Sequence, residues 1–523
     1  MAPKKVAIVG GGCSGLAAFW ALKYSEHEVH IFESANRLGG MTHSVQYEKR
    51  GKQTGVDTGL AYFKPFTSPN LYAFLQELQV PCHDTEFSVA SSRLEDSFEW
   101  GTASPFAILS RNLFRLDMWR MLIDIMRFNN LALDMLRSTR TPKKYRSKTR
   151  KKANQLYNHE QSQTNIGAYL AYEGYSNSFR DNYIIPLVAF LWNVHNPRDA
   201  LELPIALLLR YMADSDLLQS SLFWPSWMRV KGGINELEAA VANTTSAERV
   251  HLNTTINSIT KTDKSGWLAV QIKENRVEYF NHVVVATSPR EALRLISADA
   301  TDEEVRALNG FQTAMTVAIL HSDTTLMPKR RRAWGTLNHI TKSPNPNPPD
   351  TSQQFCTSFS MNRLQGIPED TFGPVLITLN PISPPHPLRV QGIWEYPRFT
   401  FNNQALKSQI SLQQIQNTRG ISYCGPWTGY GHYEDAVRSA FEVAADHLGA
   451  KLPFRVIGND WFSPLTSNAE RSLRIRGLTK REKLARLLVR ILLVVYLFLG
   501  IMRRVLLYFH KAWERMREMR DKR

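Results

Sequence analysis

A chain of 523 residues, 43% of them apolar and 21% charged, is too long for a single hydrophobic core and too apolar to be disordered. Its four cysteines (Cys13, Cys82, Cys356 and Cys424) are scattered without a CxxC pair, which argues against a zinc site or disulfide framework and suits a reducing compartment. The net charge of +17 is local: residues 471–523 hold 16 Lys/Arg against 4 Asp/Glu, residues 137–152 hold 9 basic residues and no acid, and the remainder is slightly acidic.

The first element read from the N-terminus is a strand ending in a glycine-rich turn, Val6-Ala-Ile-Val-Gly-Gly-Gly-Cys-Ser-Gly15. Gly10 permits the tight turn, Gly12 lets the backbone approach a pyrophosphate, and Gly15 lets the following helix pack on the strand. That helix starts near Cys13 and Ser14 and points its free N–H groups at the phosphates. Glu33 follows Gly15 by 18 residues, at the end of the next apolar run, where a carboxylate accepts ribose hydroxyls. Together these features predict a dinucleotide site.

Arg37, Gly39, Gly40 and Met41 follow directly. An NAD-only domain needs none of them, whereas FAD needs a chain that bends back along its ribityl arm, with the arginine reaching phosphate. The spacing therefore favours FAD. Gly55-Val-Asp57-Thr58-Gly59 reads as a turn returning to the cofactor, and Trp227 to Gly233 as a second re-entry. The alternating run Arg249–Ile259 predicts one strand carrying Ile256 toward the cofactor. His282–Ala286 predicts another, with Thr287 just beyond it. A strand through Ser422 to Gly425, then a helix from Glu434 to His447, would set Gly425, Glu434, Asp435 and Ala436 at the pyrimidine edge of a flavin. The free N–H groups at that helix start would stabilise reduced flavin.

These pieces predict an α/β fold: a discontinuous Rossmann-type FAD-binding domain, an α+β substrate domain and a C-terminal apolar helix. The cofactor domain takes residues 1–90, 229–300 and 415–455; the substrate domain takes 91–228 and 301–414. In the basic tail, 471–523, the uncharged stretch Ile491–Met502 is short for a membrane span, which needs ~20 apolar residues. Flanking arginines extend it by snorkelling, so it either spans or lies in the interface. A membrane surface is the expected partner of this tail and nucleic acid is not, because no binding fold accompanies the basic runs. The body is then membrane-associated and faces the cytosol.

With these motifs in place, the chain resembles the FAD-dependent amine-oxidase-like superfamily over residues 5–455. It is most similar to predicted NAD/FAD-binding proteins associated with cyclopropane-fatty-acid synthases. The resemblance rests on Val56-Asp-Thr-Gly59, Ser68-Pro-Asn-Leu71, Phe87-Ser-Val89, Tyr183-Ile-Ile-Pro186, Leu191-Trp192 and Trp227–Gly233. It continues through His321–Pro328, Ala333-Trp334, Met361–Gln365, Leu379-Asn-Pro381 and Gly429–Ser439. One departure is the family's closing Gly-Phe-His-Glu-Asp-Gly, which here reads Gly431-His-Tyr-Glu-Asp-Ala436.

The resemblance implies non-covalent FAD taking hydride from a substrate. The candidate substrate-side residues are Trp334 and Tyr430 as an apolar wall, Asn362 and Arg363 for a polar head group, and His432 or Tyr433 as acid or base. The expected function is oxidation or desaturation of a hydrophobic, fatty-acyl or lipid-like molecule, with the electron acceptor open. The alternatives are a flavin amine oxidase for a small amine and a membrane-bound FAD protein without catalysis.

Overall fold

The computed structural model describes residues 2–40, 44–59, 62–94, 98–103, 112, 115–138, 164–192, 194, 196–214, 217, 227–244, 246–264, 266–273, 276–341, 355–458 and scattered positions between 484 and 498. A five-stranded parallel sheet holds the cofactor side together. Its strand order is Val250–His251, Glu28–Phe32, Lys5–Val9, His282–Val285 and Ile421–Tyr423. Strands buried on both faces need continuous apolar runs, and Lys5–Val9 shows why. Val6 and Ile8 pack with Leu16 and Trp20 of the helix Cys13–Leu22, while Ala7 and Val9 point the other way into a core with Ile259, Val270 and Trp427. On the first face Trp20 is fully buried among Phe74, Phe441 and Phe454, which locks the helix to its neighbour Tyr433–Glu442.

The run Arg249–Ile259 is not one strand. Val250–His251 closes the parallel sheet, and Ile256–Lys261 opens a separate three-stranded antiparallel sheet with Leu268–Ile272 and Val277–Phe280. Between them Asn253 adopts a φ of 52°. An asparagine tolerates that left-handed turn, so the alternation runs through a corner.

The second half is a seven-stranded mixed sheet in the order Val390–Thr400, Gln312–His321, Leu376–Leu379, Phe355–Ser360, Leu337–Thr341, Val89–Arg93 and Glu99–Gly101. Its pairings are antiparallel except Val89–Arg93 with Leu337–Thr341. A helical layer that includes Leu116–Ser138, Ile166–Tyr172, Ile185–Trp192 and Ile205–Asp214 shares a core built on Phe128, Phe179, Val188 and Leu208. The helix Asn403–Ile415 falls in the expected substrate half. It packs instead with the cofactor layer, through Ala405, Leu412 and Ile415 against Phe311 and Trp427.

Met41, the Pro-rich loop at 343–350, most of the basic insert and most of the tail lie outside the described residues. No helix among the described residues is long and apolar enough to cross a membrane. The described helical tail positions Leu484, Leu487, Leu488, Ile491, Val494, Val495 and Phe498 are exposed, and Tyr496 is partly buried.

Candidate active site: a dinucleotide cradle opening into an aromatic slot

At the C-terminal end of the parallel sheet, the first strand turns through Gly10, whose φ is 104° and whose N–H donates to the Phe32 carbonyl at 2.9 Å. A Cβ on Gly15 would lie 1.9 Å from the Gly10 carbonyl oxygen. Gly12 is the opposite case: its Cβ position meets nothing within 4 Å, and Gly12 borders a large cavity. Cys13 and Ser14 border it too, at a helix start whose first-turn N–H groups have no acceptor inside the helix. Glu33 reaches the same cavity, its carboxylate fixed by the N–H of Gly11 at 2.7 Å and of Ala35 at 2.8 Å.

Gly39 and Gly40 also line the cavity, with φ of 95° and 62°, and the Gly39 N–H donates to the Gly11 carbonyl at 2.8 Å. Arg37 does not line it. Its guanidinium donates to the carbonyls of Leu38 and Gly40, both at 2.8 Å, and stands 3.9 Å from Glu238. The arginine expected to reach phosphate thus braces the glycine loop from behind. Burial, only partly opposed by Arg37, pushes the Glu238 carboxyl up to about 7.

The returning turn divides its labour. Gly59 borders the cavity, whereas Asp57 stands behind it and accepts from the Ser44 hydroxyl and from the Ile234 N–H at 3.2 Å. Gly233 has a φ of 100°, and a Cβ there would lie 2.5 Å from both Asp57 and Ser44 oxygens. Thr58 accepts a hydrogen bond from the Tyr396 hydroxyl at 3.2 Å. Ala286 and Thr287 lie in the wall. Ile256 does not: it is a buried core residue of the antiparallel sheet, because the strand expected to carry it to the cofactor breaks at Asn253. Gly425 also sits behind the wall, its N–H donating to the Ser439 hydroxyl at 3.0 Å.

The helix Tyr433–Glu442 brings His432, Tyr433, Glu434, Asp435 and Ala436 into the wall at its N-terminus. Its cap is reciprocal: the His432 side chain caps the helix while the His432 N–H donates to Asp435 at 3.1 Å. The Tyr433 hydroxyl donates to the Gly59 carbonyl at 2.6 Å. Glu434 accepts from Asn70 Nδ2 at 2.6 Å and from the Leu71 N–H at 2.9 Å, and burial pushes its carboxyl up to about 7. Burial lowers the His432 pKa, with Arg398 adding to the effect and Asp435 opposing it. His432 Nε2 is buried and has no hydrogen-bond partner among the described residues. The thiols of Cys13 and Cys424 are pushed up to about 12 by burial and so stay protonated.

Three expected substrate-side residues lie elsewhere. Trp334 packs with Met327 and Leu376 and donates from its indole to the Pro328 carbonyl at 2.7 Å. Asn362 ties a loop, donating to the Ile367 and Gly373 carbonyls and accepting from the Val375 N–H at 2.8 Å. Arg363 forms a surface pair with Glu86 at 2.9 Å. Each is a polar or aromatic group satisfied locally, which a linear motif does not distinguish from a ligand contact. Tyr430, in contrast, is in the wall.

Sequence reasoning missed most of the slot that continues from the cradle. Tyr62, Phe190, Trp192, Tyr211, Trp227, Phe359, Tyr396, Arg398, Phe399 and Phe401 line it. One signal was available: Tyr396 and Arg398 are two apart on a strand and so share a face.

The cavity encloses about 1510 Å³, well beyond the ~300–1,000 Å³ of ordinary ligand pockets, so it has room for a dinucleotide and a substrate together. The residues fit FAD. The open face of Gly12, the fixed Glu33 carboxylate and two helix N-termini directed at one cavity suit its phosphates, ribose and flavin edge.

Comparison with known proteins agrees. The family model for flavin-containing amine oxidoreductases matches residues 13–447. A putrescine oxidase structure is 16% identical, with a TM-score of 0.57, covering 85% of this chain and 99% of that one. Cyclohexylamine oxidase from Brevibacterium oxydans is 14% identical, with a TM-score of 0.59, covering 85% and 98%. A fatty acid isomerase from P. acnes is 16% identical, with a TM-score of 0.55, covering 85% and 98%. An L-amino-acid oxidase from Bothrops jararacussu is 43% identical over 49 residues, 9% of this chain and 10% of that protein. This chain therefore spans only about a tenth of that curated relative's length. From residue 13 to residue 447 the chain belongs to the flavin-containing amine oxidoreductase family.

Proposed function

We propose that this FAD-dependent oxidoreductase acts on an apolar, lipid-like substrate, taking hydride from a substrate carbon. The observation that carries the reading is the aromatic slot that shares one cavity with the dinucleotide cradle. FAD bound in the cradle supplies the hydride acceptor. The chain's own contribution is to hold, orient and dry the reactants. Tyr62, Phe190 and Trp192 exclude water from the slot, and the helix start at Tyr433 sets a positive dipole end beside the site. His432 lines the same wall, and burial keeps its imidazole neutral beside the site.

The fatty acid isomerase among the structural neighbours supports an apolar substrate, and the putrescine and cyclohexylamine oxidases support a small amine as the second reading. A ladder of uncharged primary alcohols, from hexanol to dodecanol, tests the slot. Each added methylene buried in an apolar site contributes ~0.8 kcal/mol, so affinity should rise about fourfold per carbon. A flat ladder would contradict an apolar substrate.

The tail is proposed to hold the protein at an acidic lipid surface. Its support is the exposed apolar series from Leu484 to Phe498 between basic flanks. Co-sedimentation with phosphatidylserine vesicles should be lost on deleting 478–523; retention would contradict it.

A further inference from the structure

Several deeply placed arginines in the described body are paired with carboxylates. Arg438 pairs with Asp435 at 3.2 Å, Arg330 with Glu99 at 2.8 Å, Arg419 with Glu304 at 2.6 Å and Arg120 with Asp124 at 3.0 Å. Arg398 breaks the pattern. It lies partly buried in the cavity wall on the strand Val390–Thr400. Among the described residues, the groups that act on its guanidinium are Tyr433, Tyr62 and Tyr396, and none is a carboxylate. His432 is its other titratable neighbour, and burial disfavours that imidazole's charged form.

The tyrosines do not neutralise it. Burial pushes the Tyr62 and Tyr396 hydroxyls above their ordinary range, so both remain uncharged. The hydroxyl protons of Tyr396 and Tyr433 are already donated to Thr58 and Gly59. A cation withdrawn from water without a counter-charge is costly, and the planar guanidinium is shaped to bind a carboxylate through two parallel hydrogen bonds. Phe190, Trp192, Tyr211 and Phe401 line the same cavity.

We propose that Arg398 is the anchor for the carboxylate of an amphipathic acid whose apolar chain occupies the aromatic slot. This deepens the apolar-substrate reading and rests on it. It also separates that reading from the amine alternative, because an ammonium group would meet Arg398 as a like charge.

The test is calorimetric binding to the flavin-loaded protein of decanoate, methyl decanoate and decylamine, which share one chain. The wild-type protein should bind decanoate about tenfold to a hundredfold more tightly than the ester, the factor expected of a charge-assisted hydrogen bond, and decylamine more weakly than the ester. Arg398→Met should erase the preference for acid over ester, and Arg398→Lys should restore part of it. Equal binding of acid and ester by the wild-type protein overturns the proposal, and that comparison decides even if a variant loses flavin. An Arg398→Met protein that keeps the preference also overturns it. Binding of none of the three compounds would overturn the apolar-slot reading as well, a failure visible separately in the alcohol ladder.

Discussion

Gly15 sits so close to Gly10 that a methyl group on it would lie 1.9 Å from the Gly10 carbonyl oxygen, whereas the same addition at Gly12 meets nothing within 4 Å. The two glycines of one turn therefore serve different ends, one the packing of helix on strand and the other the approach of the cofactor. Gly15→Ala should destabilise the protein by about 1–3 kcal/mol through overpacking. Gly12→Val should leave the thermal midpoint of the flavin-free protein near its wild-type value and abolish flavin retention. Thermal unfolding and flavin content, measured on both variants, check the distinction.

Glu238 and Arg37 give a pH dependence of stability. Burial raises the Glu238 pKa to about 7 from an ordinary 4.5, so the folded state prefers the protonated carboxyl. A raised folded pKa contributes stability that is complete below about 4.5 and is lost as pH rises through about 7. Glu434, also raised to about 7, acts in the same direction. Glu238→Gln should flatten the fall in unfolding free energy between pH 5 and 8 by on the order of 1–3 kcal/mol. Urea titrations at the two pH values provide the measurement.

Asn362 and Arg363, adjacent in sequence, should respond oppositely to truncation. Asn362 satisfies two carbonyls and one N–H, so Asn362→Ala should cost about 1–3 kcal/mol of stability. Arg363 holds an exposed pair with Glu86, and Arg363→Ala should change stability by less than about 1 kcal/mol. Neither bordering the cavity, Arg363→Ala should leave flavin content and ligand binding unaltered.

Much of the cradle was legible because its chemistry is local. Gly10, Gly12, Gly15 and Glu33 belong to one strand–turn–helix–strand unit whose spacing is set by the cofactor it suits. The cap at His432 and Asp435 is equally local. Ile256 failed because strand alternation carries through a corner at Asn253 without a mark in the pattern. Trp334 and Arg363 failed for another reason: an aromatic or a cation in a motif shows no partner until Pro328 or Glu86 is brought beside it by the fold. Most of the aromatic slot was hidden, since Tyr62, Phe190, Tyr211 and Phe401 come from four separate segments and meet only in the folded chain.

His432 ties the site to pH. Its imidazole is buried, which lowers its pKa from 6.5 and keeps the ring neutral at neutral pH. A depressed folded pKa also means that stability drawn from the neutral ring is present above about 6.5 and is lost only as pH falls through the lower value. Turnover should therefore be flat between pH 7 and 8 and fall on the acid side, and His432→Gln should reduce turnover and remove that acid limb. A pH–rate profile of the two proteins checks it.

The claim that this flavoprotein oxidises an apolar, lipid-like substrate is tested most directly by mixing the flavin-loaded protein anaerobically with fatty acyl compounds and with small amines, and following flavin absorbance. Bleaching by acyl compounds and none by amines is the predicted result. Bleaching by amines alone would contradict the account.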